Sequence, residues 1–288
     1  MSTTPTDVAE QAHVVHAYGV ISSDAVDTVE RDALPQRGIA GSPVRVLPLS
    51  GIAVIVGDLA ADRFGEKAWR DHAEDPAWLE PVARGHHEVL QTVAATVDVL
   101  PLRLPGIYRD DDELTRLLAA DEESLLERLH VVSGHQEWGV HVHLLADAST
   151  AATSKAPASG RDYLIQRKQA AADRDTARER RHELLAEVYA ALAEVSARSV
   201  VNRPQDPALS GRDEPMLLNS AHLVARGSRD AFFARADEAS RSLLEPADMV
   251  MEISGPWPPY NFAVPREEPG EETSAGAGQA PGEGGARR

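Results

Sequence analysis

The sequence predicts an α+β protein of two domains. Its 288 residues are about the length of two domains, and 42% hydrophobic residues suffice to build their cores. The predicted strands and helices are mixed rather than strictly alternating. In the second half they follow the order β-α-β-β-α-β, which is the ferredoxin-like pattern. We place an N-terminal α+β domain at residues 1–134, a ferredoxin-like domain with a long charged helix at 135–266, and a disordered tail at 267–288.

Three strands and a helix are predicted first. Residues 13–21, 44–49 and 52–59 are apolar enough for strands, and a Ser-Gly turn joins the last two as a hairpin. Asp75 and Pro76 predict the start of a helix, because aspartate caps the first turn and proline is compatible with it. The apolar residues that follow recur at helical spacing: Leu79, Val82, His86, Val89, Val93 and Val97.

A short strand and an acidic helix start complete the N-terminal half. Residues 99–104 predict a strand at an edge or a bulge, because Pro101 lacks a backbone donor. Arg103 in this segment is expected to form an ion pair with the acidic residues 110–113, with a recognition role as the alternative. Residues 110–112 are all aspartates that begin a helical region. The helix macrodipole explains them better than a divalent cation site does.

The second half begins with a half-buried strand at residues 135–145, where Trp138 starts the apolar alternation. A small, polar and mobile segment is expected at 148–160. Residues 162–198 predict one long helix whose charged middle is solvated. The remaining predicted elements are strands at 199–202 and 216–225, a helix capped by Ser228, and a strand at 248–253.

Directly after the last predicted strand lies a segment rich in proline and aromatic residues. Three prolines in four positions remove three backbone donors and favour an extended conformation. Such a stiff segment presents its rings at low entropic cost. The rings either fold back over their own domain's core or contact an apolar partner, and the two roles are compatible. The candidate residues are Pro256, Trp257, Pro258, Pro259, Tyr260 and Phe262.

The composition excludes several classes of function. A net charge of −17, from 29 basic and 46 acidic residues, argues against nucleic acid or an anionic membrane as the main partner. The absence of cysteine excludes disulfides, thiolate catalysis and cysteine-based metal sites. The N-terminal residues lack the features of a signal peptide, and the longest apolar stretch is too interrupted to span a bilayer. We therefore expect a cytoplasmic protein.

Motifs for catalysis and cofactor binding are absent from the sequence. There is no glycine-rich phosphate loop, no nucleophile turn and no zinc-protease helix. His141 and His143 share one face of a strand, and His135 or Glu137 are further candidate ligands. Zinc needs three or four ligands and this pattern assigns only two of them, so we predict no metal site and no cofactor. His86 is expected to be a hydrogen-bonded histidine of the core or its boundary.

Five short segments resemble one known family. They are Ala17-Tyr18-Gly19-Val20, Leu100-Pro101-Leu102-Arg103, Glu137-Trp138-Gly139-Val140, Met216-Leu217-Leu218-Asn219-Ser220-Ala221 and Gly255-Pro256-Trp257-Pro258-Pro259-Tyr260-Asn261-Phe262. In order and spacing they resemble the gas vesicle F/L accessory proteins, over residues 14–262. One departure is Leu104-Pro105-Gly106, where the family usually has Phe-Gly after the arginine.

The resemblance implies a non-enzymatic accessory protein at the gas vesicle. The expected partners are the hydrophobic shell protein and other accessory proteins, in contact with Arg103 and the proline- and aromatic-rich segment. Exposed sheet edges are suited to a partner strand, and an apolar groove beside Trp257 is suited to a helix. The alternative is a metal-dependent hydrolase or a small-molecule sensor on a ferredoxin-like scaffold, which would use His141 and His143.

Overall fold

The computed structural model describes residues 13–145, 160–205, 214–244 and 247–263. In this part of the chain, each half contributes one antiparallel sheet. The predicted disordered tail lies outside the described residues, as does the predicted mobile segment apart from Gly160.

The strands of the first sheet are β1 (His13–Ser22), β2 (Val44–Pro48), β3 (Ile52–Ala60), β4 (Leu100–Pro101) and β5 (Ile107–Tyr108). The sheet has the order β2-β3-β1-β4, and β5 also pairs with β1. The first three predicted strands are confirmed to within one residue. The strand predicted at 99–104 shortens to two residues, because Pro101 cannot donate the next hydrogen bond of the ladder.

The helices of this half are α1 (Ala61–Phe64), α2 (Glu66–His72), α3 (Pro76–Ala94), α4 (Asp111–Ala120) and α5 (Glu122–Val132), with shorter helical turns at Ser23–Ala25, Val26–Thr28, Val29–Ala33 and Ile39–Gly41. The Asp75 carboxylate accepts from the amide of Ala77 at 3.0 Å, which confirms the predicted cap. Asp110 caps α4 in the same way, accepting from the amide of Glu113 at 2.8 Å. The predicted single helical region is two helices that meet at Asp121.

The elements of the second half are β6 (His135–Leu144), α6 (Gly160–Ala193), β7 (Arg198–Asn202), β8 (Met216–Ala225), α7 (Arg229–Ala239) and β9 (Met249–Trp257), with helical turns at Arg226–Ser228 and Ser240–Leu244. They form an antiparallel sheet in the order β7-β8-β6-β9. The predicted type of each element and the predicted order of the elements along the chain are confirmed.

Three details of the second half differ from the predictions. The Ser228 hydroxyl makes no capping hydrogen bond, since α7 continues from a preceding helical turn. Helix α6 ends at Ala193 because the chain must turn before it enters β7. Strand β9 extends to Trp257 rather than ending at Ile253. It tolerates Pro256 because it lies at the sheet edge, where an irregularity in the pairing with β6 falls between Glu137 and Gly139.

Within the described ranges, three apolar clusters form the core. One packs α3 on the outer face of the first sheet, and another packs α6 and α7 on the second sheet. The middle cluster joins the halves, because it contains side chains of both sheets together with those of α4 and α5. Val54 of β3 and Leu223 of β8 belong to this shared core. The two sheets are therefore held together by a common apolar layer.

Tyr18 and Gly19 explain the first family-like segment in physical terms. The Tyr18 side chain is fully buried, and its hydroxyl accepts from the amide of Ile39 at 3.0 Å. A Cβ atom on Gly19 would lie 2.7 Å from Leu90 Cδ2 and 3.0 Å from the carbonyl oxygen of Leu100. Only glycine lets β1 approach α3 and β4 this closely.

Changing Gly19 to alanine is expected to lower the free energy of unfolding by about 1–3 kcal/mol, because the backbone of β4 cannot yield freely. Urea unfolding measures this loss. Gly227→Ala is the matched control, since no atom lies within 4 Å of the added Cβ. Equal losses in the two variants would refute the steric explanation.

Candidate functional site: a groove closed by the C-terminal segment

The C-terminal segment, residues 256–263, begins with the last two residues of β9, then leaves the edge of the second sheet and packs against the first half. Gln91 on α3 donates from Nε2 to the carbonyl oxygen of Pro256 at 3.0 Å. His87, one turn earlier on α3, shares a 3.0 Å hydrogen bond between its Nδ1 and the Tyr260 hydroxyl. The His87 ring also lies 5.3 Å from the ring of Trp257. Two residues of one helix face thus hold the segment.

Glu137 on β6 fixes the next part of the segment. Its carboxylate accepts from the amide of Asn261 at 2.8 Å and from Asn261 Nδ2 at 2.7 Å. Burial raises the pKa of Glu137 to about 7, although both hydrogen bonds favour the ionised form. Burial also raises the pKa of Tyr260, and the charge of Glu137 adds to that effect. The segment therefore depends on a buried carboxylate.

The segment ends in the core that the two halves share. Phe262 is 6% exposed and belongs to the middle cluster, and Arg128 on α5 donates from Nε to the carbonyl oxygen of Ala263 at 2.8 Å. Its residues therefore differ in accessibility. Pro258, Pro259 and Phe262 are buried, whereas Trp257 is 37% exposed. Tyr260 packs against the first half and Phe262 packs in the core that both halves share, so the rings do not cover the core of their own half alone.

A groove of about 480 Å³ lies where this segment meets α3 and the residues after β4. Its lining is mainly apolar, with one guanidinium and the polar His87–Tyr260 pair. The lining residues are Ala83, His86, His87, Pro101, Leu102, Arg103, Leu104, Tyr260 and Ala263. Arg103 and Tyr260, two of the candidate residues, therefore lie in the same groove.

Arg103 does not form the ion pair expected from the sequence. Its side chain is exposed, and it makes no ion pair with any residue in the described ranges. Arg109 pairs with Asp110 and Glu113 instead, at 3.7 and 3.4 Å, because it directly precedes α4. The guanidinium of Arg103 is left at the groove as a positive charge.

His86, which lines the groove, forms a buried pair with His16. His16 Nδ1 contacts the carbonyl oxygen of Pro105 at 3.0 Å, and His86 Nε2 contacts that of Leu102 at 3.1 Å. Their remaining nitrogens lie 2.9 Å apart. Because carbonyls only accept, all three contacts are hydrogen bonds only when the pair carries one extra proton. Burial lowers the pKa of His16 to about 3 and of His86 to about 4. His86 is thus the buried, hydrogen-bonded histidine that the sequence predicts.

The candidate metal ligands are not brought together. His135 contacts the carbonyl oxygen of Ser133 at 2.7 Å, and Glu137 is occupied by Asn261, so neither joins His141 and His143. Across the described residues, no group of three or more histidine, aspartate or glutamate side chains is placed to hold a metal ion. Asp111, one of the three aspartates at the start of α4, forms a 2.8 Å ion pair with Arg45.

In the described ranges, no helix has the length and apolar character needed to cross a bilayer.

Comparison with solved structures defines the class of the fold. The chain is similar to the crystal structure of the gas vesicle protein GvpF from Anabaena sp. PCC7120, with a TM-score of 0.61 and 17% sequence identity. The match covers 88% of this chain and 96% of that one. This is a mixed α+β fold with two sheets.

Comparison of sequences then gives the family. The profile for "Gas vesicle synthesis protein GvpL/GvpF" matches residues 14–264. Gas vesicle protein L of Streptomyces sp. (strain CB03234) is 36% identical over 241 residues, covering 82% of this chain and 89% of that protein. Gas vesicle protein F of the same strain is 28% identical over 265 residues, covering 86% and 98%. The chain belongs to the GvpL/GvpF family of gas vesicle proteins, and the predicted family is confirmed.

Sequence reasoning missed the polar partners of the C-terminal segment. His87 and Gln91 lie four residues apart on α3, which is the spacing of one helix face. The sequence contains this spacing but does not say what packs against it. Glu137 and Asn261 are polar residues within two of the family-like segments. Their position in those segments is the one signal in the sequence for a buried polar contact.

Proposed function

We propose that this protein is a non-enzymatic accessory protein of gas vesicle assembly that binds the hydrophobic shell protein, other accessory proteins, or both. The observation that carries the proposal is the groove in which Arg103 lies beside apolar walls and Tyr260. A partner segment that is apolar and carries a carboxylate matches this surface. Its carboxylate can form an ion pair with Arg103, and its apolar side chains can pack against the groove walls. Family membership supports the gas vesicle role.

The same proposal includes the organisation of the chain. We assign residues 1–134 and 135–266 to two domains, the second of them ferredoxin-like, with the groove in the first domain and its last wall contributed by the second. The order β7-β8-β6-β9 supports the ferredoxin-like assignment. The C-terminal segment then has two roles, since residues 256–263 join the domains and also form one side of the binding groove.

Arg103→Glu is expected to lower the amount of shell protein that co-purifies with this chain by about tenfold, because the reversed charge repels an acidic group of the partner. The exposed side chain makes the variant compatible with folding. Arg116→Glu on α4 is the matched control, since Arg116 is exposed and lines no part of the groove.

Three results have distinct meanings. Loss of the shell protein in Arg103→Glu but not in Arg116→Glu supports the groove as the contact. Equal retention by both variants moves the contact away from the groove. If the unaltered protein retains no shell protein, the same pair of variants is tested against the other accessory proteins, and no binding in either assay refutes the proposed function.

A further inference from the structure

A second surface lies on α6, most of which is exposed on all sides. From Leu184 onward the helix is buried, where Leu184, Val188 and Leu192 enter the core of the second sheet. Residues 163–183 are exposed, except for two that are half-buried. At about 1.5 Å per residue this part is roughly 30 Å long. A polar helix of that length serves as a bridge or a contact surface.

One face of α6 carries three arginines and a histidine, with one carboxylate, Asp175, at its border. Its residues follow one another at intervals of three and four, which places them in one row along the helix. This arginine face consists of Leu164, Arg167, Ala171, Arg174, Arg178, His182, Leu185 and Tyr189. Asp175 lies three residues before Arg178, at the border of this face. Glu183, which pairs with Arg180 at 3.7 Å, and Asp173, which accepts from Gln169 at 2.9 Å, lie on other faces. In a chain of net charge −17, this face is a local exception.

An apolar groove of about 380 Å³ adjoins the C-terminal end of the arginine face. His182, Leu185 and Tyr189 of the arginine face form one wall, and Val201 and Leu217 belong to the strands on the other side. Val201 is 51% exposed, which is unusual for a valine of a strand. At the N-terminal end of the face, Leu164 is 64% exposed. Apolar contacts are therefore available at both ends of the row of arginines.

We infer that the arginine face and this groove bind an acidic amphipathic helix of a partner protein. Its apolar side chains enter the groove beside Val201 and Tyr189, and its carboxylates lie along Arg167, Arg174 and Arg178. Charge complementarity selects this partner. This surface is separate from the groove at Arg103 and does not depend on the function proposed for that groove.

Two other occupants fit the face less well. A second copy of the chain, paired through the same face, would oppose arginine to arginine, which disfavours that pairing. Nucleic acid would be repelled by the net charge of −17 and would make no use of the apolar groove. An acidic helix uses both the charge and the groove.

The test measures binding of a labelled, synthetic acidic helix by fluorescence anisotropy with the full-length chain. The probe has about 21 residues with leucine and glutamate at heptad spacing, and a scrambled peptide of the same composition is compared with it. The triple variant R167E/R174E/R178E is expected to bind at least about tenfold more weakly. The control R37E/R116E/R180E makes the same change of net charge at exposed positions away from the arginine face and is expected to stay within about twofold.

Val201→Asp tests the apolar half of the surface without touching the arginines. It is expected to weaken binding by about fivefold, because it places a carboxylate in the groove. Far-UV circular dichroism verifies that each variant is folded. The inference is overturned if the scrambled peptide binds as tightly as the helix, if both triple variants lose binding equally, or if a duplex DNA oligonucleotide competes better than the peptide.

Discussion

Replacing Phe262 by alanine is expected to lower the free energy of unfolding by about 3–5 kcal/mol, the cost of emptying a buried aromatic site. Phe262 is 6% exposed and lies in the core shared by both halves. The cavity cannot close by a local shift, because the neighbouring residues Asn261 and Ala263 are held by Glu137 and Arg128. Chemical unfolding in urea measures the loss.

Trp257→Ala is the control for this prediction. The larger ring is 37% exposed, so its removal is expected to cost about 1 kcal/mol or less. A ratio near one between the two losses would show that the segment does not anchor through Phe262. The two rings are five residues apart in one motif, yet their environments predict losses of stability that differ severalfold.

Lowering the pH is expected to change the stability lost in His86→Gln and in Glu137→Gln in opposite directions. The pKa of His86 is about 4 in the folded protein, below its ordinary value of 6.5, so the unfolded chain binds the proton first as the pH falls. Stability from this group is present above pH 6.5 and decreases toward pH 4. The loss at pH 5 is about 2 kcal/mol, and His86→Gln should therefore be about 2 kcal/mol less costly at pH 5 than at pH 7.5.

Glu137 has the reverse sign. Its pKa is raised from 4.5 to about 7, so the folded protein binds the proton first as the pH falls. Stability from this group is complete below pH 4.5 and is lost as the pH rises through 7. Glu137→Gln is therefore expected to cost about 2 kcal/mol more at pH 5 than at pH 7.5. Urea unfolding at both pH values checks the pair, and a shift of the same sign in both variants contradicts the assignment.

Most elements of the fold could be predicted from the sequence because their signals are local. The cap at Asp75, the hairpin after β2 and the alternation around Trp138 each depend on a few neighbouring residues. The two short helices α1 and α2 were missed, because four and seven residues are too few to show a helical period.

The site was predicted in parts but not as an arrangement. The sequence singled out Arg103 and Tyr260 separately, and only the fold shows that both line one groove. It assigned Arg103 to the wrong role, since proximity in sequence to residues 110–113 does not fix the direction of a side chain after a proline-containing turn. Contacts such as Glu137 with Asn261, 124 residues apart, depend on how the halves pack.

The order of synthesis gives the C-terminal segment a further consequence. The last strand of the first sheet ends at Tyr108, and about 155 residues separate it from Ala263. At roughly 5–20 residues per second, the ribosome needs about 10–30 s to make them. During that time the nascent chain exposes the α3 surface around His87 without its covering residues. The groove at Arg103 therefore acquires its last wall only as translation reaches the end of the second half of the fold.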